Sequence, residues 1–224
     1  MSDQIALVRG KICEIGALMY ARGLTDTAGG NISARVGERI CMTPRYAGSR
    51  HHWNLRPEQV LVLDGHGQRL EGTGEVSREV KVHLRLHADF SEEGMAVVHG
   101  HSRNALVFCS AQLPIPPVLE ATLKLGEVKL AEYAPSHSRE LAENVGLAIR
   151  AQWQEGLSRA AVLVPWHGLF VLAQDLDTAL DVAERVDTNA RCILLGTLLR
   201  GDPAWARSAQ QELSKRNAQT FHME

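Results

Sequence analysis

Three histidines carry the strongest chemical signal in the chain. His99 and His101 flank a single glycine in Met95-Ala-Val-Val-His99-Gly-His101-Ser102, at the carboxyl end of what reads as a short buried strand over 96–98. Side chains two apart on a strand share a face, so the two imidazoles converge on one point, and Gly100 between them leaves that point open. Such a pair suits a zinc-like ion, whose nitrogen ligands sit close, at about 2.0–2.1 Å. A His-x-His pair alone is more often an ordinary surface or core feature. A third ligand is offered by His167, where the apolar run Val162-Leu-Val-Pro-Trp-His167-Gly-Leu-Phe-Val-Leu172 breaks at His-Gly and resumes. With three histidines at strand ends, a metal is the favoured reading. Zinc suits the set, and cobalt, manganese or iron(II) is compatible with imidazole plus a carboxylate.

Other residues compete for or complete this chemistry. His83 and His87 are four apart on a helical stretch, a legitimate metal spacing, but Arg85 stands between them and they read as a solvated helix face. The run Gly29-Gly30-Asn31-Ile-Ser33 is either a tight helix-to-strand turn or a place where backbone N–H groups approach an anion, with Asn31 and Ser33 adding donors. Arg45 and Arg50 lie in a loop after Thr43-Pro44 and face an anion or merely solvent. Ser77 is placed as a helix N-cap, and Glu79 in the first turn suits the helix dipole.

The elements that position these residues follow from periodicity and breakers. A helix is predicted over 3–22, from Ile5, Val8, Ile12, Ile15 and Met19, stopping at Gly23. Strands are predicted over 32–36, 39–43, 61–64, 127–133, 160–164 and 169–172, the 61–64 strand forming a hairpin with Arg69-Leu70. Helices are predicted for the segment after Ser77, and over 102–110, 118–123, 135–153, 177–199 and 203–215. Helices interleaved with strands imply an α/β or α+β sandwich around one sheet.

The chain has 224 residues, enough for one substantial core, so a single domain over 1–224 is expected, with a short C-terminal helix and tail from about 203. A formal charge of -2 and a pI near 6.6 argue against a nucleic-acid partner. No apolar run is long enough for a membrane span, and the first residues lack a secretory pattern. Cys13, Cys41, Cys109 and Cys192 have no framework spacing and read as reduced, mostly buried thiols in a cytoplasmic protein.

Taken in order, Ala28-Gly-Gly-Asn31-Ile-Ser33, Met42-Thr43-Pro44, Ser77-Arg-Glu79-x-x-x-His83, Val98-His99-Gly-His101-Ser102, Tyr133-Ala-Pro135 and Trp166-His167-Gly168 resemble the class II aldolase/adducin family, in its fuculose- and rhamnulose-1-phosphate aldolase branch. The resemblance implies a three-layer α/β/α sandwich with a central mixed, largely antiparallel sheet, assembled as a homotetrameric ring with active sites between subunits. It implies zinc on His99, His101 and His167, with Glu79 as catalytic base and possible further ligand. A phosphate would be held by Gly30, Asn31, Ser33, Thr43, Arg45, Ser77 and Arg78. The activity implied is cleavage of a ketose 1-phosphate to dihydroxyacetone phosphate and an aldehyde, through a zinc-stabilised enediolate. Two departures stand out. Arg45-Tyr46 and Arg78 occupy positions where related aldolases read Thr-Gly and Ser, and Glu120 stands where fuculose-phosphate aldolase places a tyrosine acting across the interface. Glu120 resembles the carboxylate of rhamnulose-type aldolases and methylthioribulose-1-phosphate dehydratases, and is expected to act in a neighbouring subunit. A decarboxylase or dehydratase on the same scaffold, and a non-catalytic adducin-like module, are the alternatives.

Overall fold

The computed structural model describes residues 2–92, 95–153 and 158–220. Seven strands form one sheet: β1 (Asn31–Val36), β2 (Arg39–Met42), β3 (Leu61–Leu63), β4 (Arg69–Glu71), β5 (Ala96–Gly100), β6 (Arg159–Val164) and β7 (Gly168–Ala173), in the order β4-β3-β2-β1-β5-β7-β6. The pairings between these strands are antiparallel, and an isolated bridge from Leu130 to Leu163 supplies a parallel contact. Helices α1 (Ser2–Ala21), α3 (Ala105–Ala111) and α6 (Leu176–Arg200) cover one face. Helices α2 (Val80–Asp89) and α5 (Arg139–Gln152) cover the other. A single turn, α4 (Glu120–Leu123), leads out of the proline-rich crossing, and α7 (Trp205–Thr220) packs on α6.

Strand parity divides the sheet between the two layers. Ile32, Ala34 and Val36 of β1, with Ala96 and Val98 of β5, join α1 and α6 in the larger core. Val97, Phe170 and Leu172 face α2 and α5. Burial of these faces is the main stabilising term, at roughly 25 cal/mol per Å2 of apolar surface. On β1, however, the positions facing α2 are Asn31 and Ser33, both buried. Polar side chains thus interrupt the apolar layer where β1 meets β5, with Asn31 directly opposite His99.

Four sequence expectations are corrected. Residues 127–133 make isolated bridges rather than a strand, because the Lys129 N–H donates to the Gln152 side chain at 2.9 Å and leaves the ladder broken. Ser77 does not cap α2: Glu79 holds the N-cap position, and the Ser77 hydroxyl accepts the Glu79 N–H at 3.2 Å. His83 and His87 are not on a solvated face; both are fully buried against β1. Helix α5 starts later than predicted, at Arg139, because Ser138 is the cap, accepting the Leu141 N–H at 2.9 Å. The four cysteines are free, and burial pushes Cys41 up to about 11 and Cys109 up to about 12, so both stay protonated thiols.

Candidate active site

The three sequence-predicted histidines meet. One donor atom from each of His99, His101 and His167 lies within 4.8 Å of the other two. His99 leaves β5 fully buried and stacked on Phe170, with ring centroids 4.1 Å apart. Its Nδ1–H donates to the Leu169 carbonyl at 3.0 Å, which leaves Nε2 as the lone-pair nitrogen. His101, just past the strand, has Nδ1 at 3.0 Å from Asp26 Oδ1, a carboxylate that fixes the orientation of the ring. His167 sits in the turn between β6 and β7, after a left-handed Trp166 at φ 56°. The open space comes from Gly168 rather than Gly100: a Cβ at 168 would lie 3.1 Å from both the His99 and His101 rings, whereas one at 100 would strike the Leu24 carbonyl.

Glu79 completes this side. Its carboxylate is buried, and the close contacts of Oε1 among the described residues are with histidines. Oε1 lies 2.6 Å from His137 Nδ1, its ion-pair partner, and 3.9 Å from His167 Nε2. Burial pushes the Glu79 carboxyl up, with His137 acting in the opposite sense. Burial lowers His99 well below its ordinary range and His167 to about 4. Converging imidazoles beside a buried carboxylate are the donor set a divalent cation needs, so the residues fit the metal that the sequence implies.

The histidines line a cavity of about 470 Å3 together with the glycine turn, which packs against His101, and with Asn31, Arg45, Ser77 and Arg78. Gly30 adopts φ 98°, and a Cβ there would lie 2.4 Å from Thr25 Oγ1. Asp26 ties the turn down, its Oδ1 accepting the N–H groups of Ala28 at 2.8 Å and Gly29 at 3.1 Å. Arg45 pairs with Glu75 at 2.7 Å, and the Tyr46 ring is sandwiched between Arg45 and Arg50 at 4.5 and 4.0 Å. Arg50 itself lies outside the lining.

Three expected site residues are not brought to the cavity of a single chain. The Ser33 hydroxyl is buried under the turn, 2.7 Å from His83 Nδ1 and 2.8 Å from His87 Nε2. The Thr43 hydroxyl accepts the Ile32 N–H at 3.1 Å and bridges β1 to β2. Both are structural supports here, so their placement as direct substrate contacts is corrected. Glu120 is exposed at the start of α4, away from the lining. Conversely, sequence reasoning missed Asp26 and His137. An Asx turn in Asp26-Thr-Ala-Gly29 was a readable signal for the first; nothing in the sequence marked the second, whose left-handed φ of 69° places it on Glu79.

Residues 10–194 match the Class II Aldolase and Adducin N-terminal domain family. Among curated relatives, a 5-deoxy-D-ribulose 1-phosphate aldolase of Bacillus thuringiensis is 30% identical over 87% of this chain and 87% of its own length. An L-fuculose phosphate aldolase of Escherichia coli is 30% identical over 83% of this chain and 81% of its own. Among solved structures, an L-fuculose 1-phosphate aldolase superposes with a TM-score of 0.74 at 24% identity, covering 92% of this chain and 96% of that one, a likeness of fold. The chain is therefore a member of the class II aldolase and adducin N-terminal domain family, and a lyase.

Proposed function

We propose that this enzyme cleaves a ketose 1-phosphate to dihydroxyacetone phosphate and an aldehyde. The observation that carries the reading is one cavity lined on one side by converging imidazoles and a buried carboxylate and on the other by a glycine turn with Asn31, Ser77 and Arg78. Relatives named for ketose phosphates support it. His99, His101 and His167, with Glu79 as a further oxygen, would hold zinc, or cobalt, manganese or iron(II) in its place. Such a cation supplies Lewis-acid stabilisation of the charge that develops on the substrate oxygens, several kcal/mol in all, of which each ~1.4 kcal/mol is tenfold in rate.

The protein's own groups do the rest. Asn31, Ser77 and Arg78, with the Gly30 backbone and Arg45, hold the anionic end. The bond between C3 and C4 breaks as the C4 hydroxyl proton leaves, its electron pair passes into the enediolate of the three-carbon fragment, and Glu79 delivers a proton to C3. Glu120 of a neighbouring copy, in a fourfold ring of cytoplasmic subunits, takes the C4 hydroxyl proton. The test is to incubate metal-loaded wild type and Glu79→Gln with a panel of ketose 1-phosphates and assay dihydroxyacetone phosphate. We expect release by the wild type, and a kcat lower by about 10²–10⁴ in Glu79→Gln at unchanged metal content. Full activity in that variant removes Glu79 from the reaction. Arg45 and Arg78 in the cavity wall favour one second reading, decarboxylation of a carboxylated substrate, since guanidinium groups grip carboxylates in a fork. Absence of dihydroxyacetone phosphate from every ketose, with carbon dioxide from a keto acid phosphate, would establish it.

A further inference from the structure

Behind the anion side of the cavity lies a chain of buried polar groups, of which His87, Ser33 and His83 have no part in the proposed reaction. His87 Nε2 is 2.8 Å from Ser33 Oγ, Ser33 Oγ is 2.7 Å from His83 Nδ1, and His83 Nε2 is 2.5 Å from Asn31 Oδ1. Asn31 Nδ2 then reaches Ser77 Oγ at 3.3 Å. Four of these residues are buried on the α2 side of β1, and Ser77 stands at the cavity wall.

Such a chain can be protonated in two directions, and its far end decides between them. His87 Nδ1 is buried with no hydrogen-bond partner among the described residues. A proton there would be a stranded N–H donor, which is costlier and rarer than an unfilled acceptor lone pair. The His87 proton therefore sits on Nε2 and donates to Ser33. The Ser33 hydroxyl must then donate to His83 Nδ1, the His83 Nε2–H donates to Asn31 Oδ1, and the Asn31 amide presents its NH2 group forward. Burial holds His83 at about 3 and His87 well below its ordinary range, so each ring carries one proton and the assignment is unique. One Asn31 N–H goes to Ser77 Oγ; the second has no partner among the described residues, and Ser77, already accepting from Asn31 and the Glu79 N–H, keeps its own proton to give. This stretch of wall offers donors only.

We propose that His87, Ser33 and His83 form a polarity relay that fixes the orientation of the Asn31 amide and thereby makes the glycine-turn side of the cavity selective for an anion. The three are positioning residues, acting through Asn31. The proposal rests on the anion-binding reading of that side, but it can fail while that reading survives.

The test uses metal-loaded protein and inorganic phosphate as probe, with metal content measured in every sample. His83→Leu fills the space without a donor, His83→Gln restores a donor near the Nε2 position, and Ser33→Ala cuts the middle link. We expect the phosphate Kd to rise about tenfold or more in His83→Leu and about threefold or more in Ser33→Ala, with recovery in His83→Gln. We further expect Ser33→Ala to have no added effect in an Asn31→Ala background, the coupling that two groups acting through one another must show. Additive effects, or wild-type phosphate affinity in Ser33→Ala, overturn the relay; Ser33→Ala decides the matter if His83→Leu does not fold. Imidazole 15N NMR reads the assignment without any ligand: both rings should be Nε2–H tautomers, and an Nδ1–H tautomer at His83 overturns the relay outright. Failure of the wild type itself to bind phosphate overturns the sugar-phosphate reading together with the relay, an outcome distinct from loss of the coupling alone.

Discussion

Two sets of histidines lie on the same side of the sheet and do opposite things. In His99 and His101, one ring nitrogen is committed to the protein, to the Leu169 carbonyl and to Asp26, and the other is left to the cavity. In His83 both nitrogens are committed, to Ser33 and to Asn31, so no ligating capacity remains. The difference is not burial, since His83, His87 and His99 are all fully enclosed. Between His83 and the pair His99 and His101, it lies in how many ring nitrogens the surrounding protein already occupies.

The contrast is open to direct attack. The largest effect is expected from His167→Ala, which should lose bound metal and at least about a thousandfold in activity, since a Lewis acid supplies several kcal/mol; retained metal by elemental analysis would remove His167 from the set. Next is Asp26→Ala, which touches no metal itself but releases the His101 ring. Loss of such a partner costs roughly 10–100-fold in metal affinity, to be read by competition with a chelator. Smallest in scale is a pH effect from the other set. His83 is held at about 3 in the folded chain against an ordinary 6.5, so below 6.5 the unfolded state binds more protons and stability falls with falling pH. For one such group the loss between pH 7 and 5 comes to ~2 kcal/mol. Urea unfolding at the two pH values should show it in the wild type, with a correspondingly smaller loss in His83→Leu; equal losses would mean that His83 takes up its proton without unfolding.

How much of this was legible in the sequence divides along the same line. His99, His101 and His167 were readable because the strand period of two and the breaks at His-Gly carry the information locally. Helix α6 was readable within a residue or two at each end, since its apolar stripe and Gly201 bracket it. The burial of His83 and His87 was not, because Arg85 between them is solvated while they are not, and what decides is the partner surface. That surface did leave a trace: Asn31 and Ser33 alternate with Ile32 and Ala34, so one face of β1 is polar and needs a polar partner. Ser33 and Thr43 were read as cavity residues from motif alone, which marks that a residue matters without saying which way it points. Asp26 and His137 act across 75 and 58 positions of sequence, and no window catches contacts set by the sheet's assembly.

The direct pairing of Asn31 with His99 across β1 and β5 has one more consequence. The two sides of the cavity are fastened to neighbouring strands in the middle of a sheet, where neither can slide without giving up its ladder bonds. The spacing between them works as a fixed gauge. Molecules would be sorted first by the reach from their charged terminus to their chelating oxygens, and homologues lengthened by one carbon along that reach should be turned away however well the remainder fits.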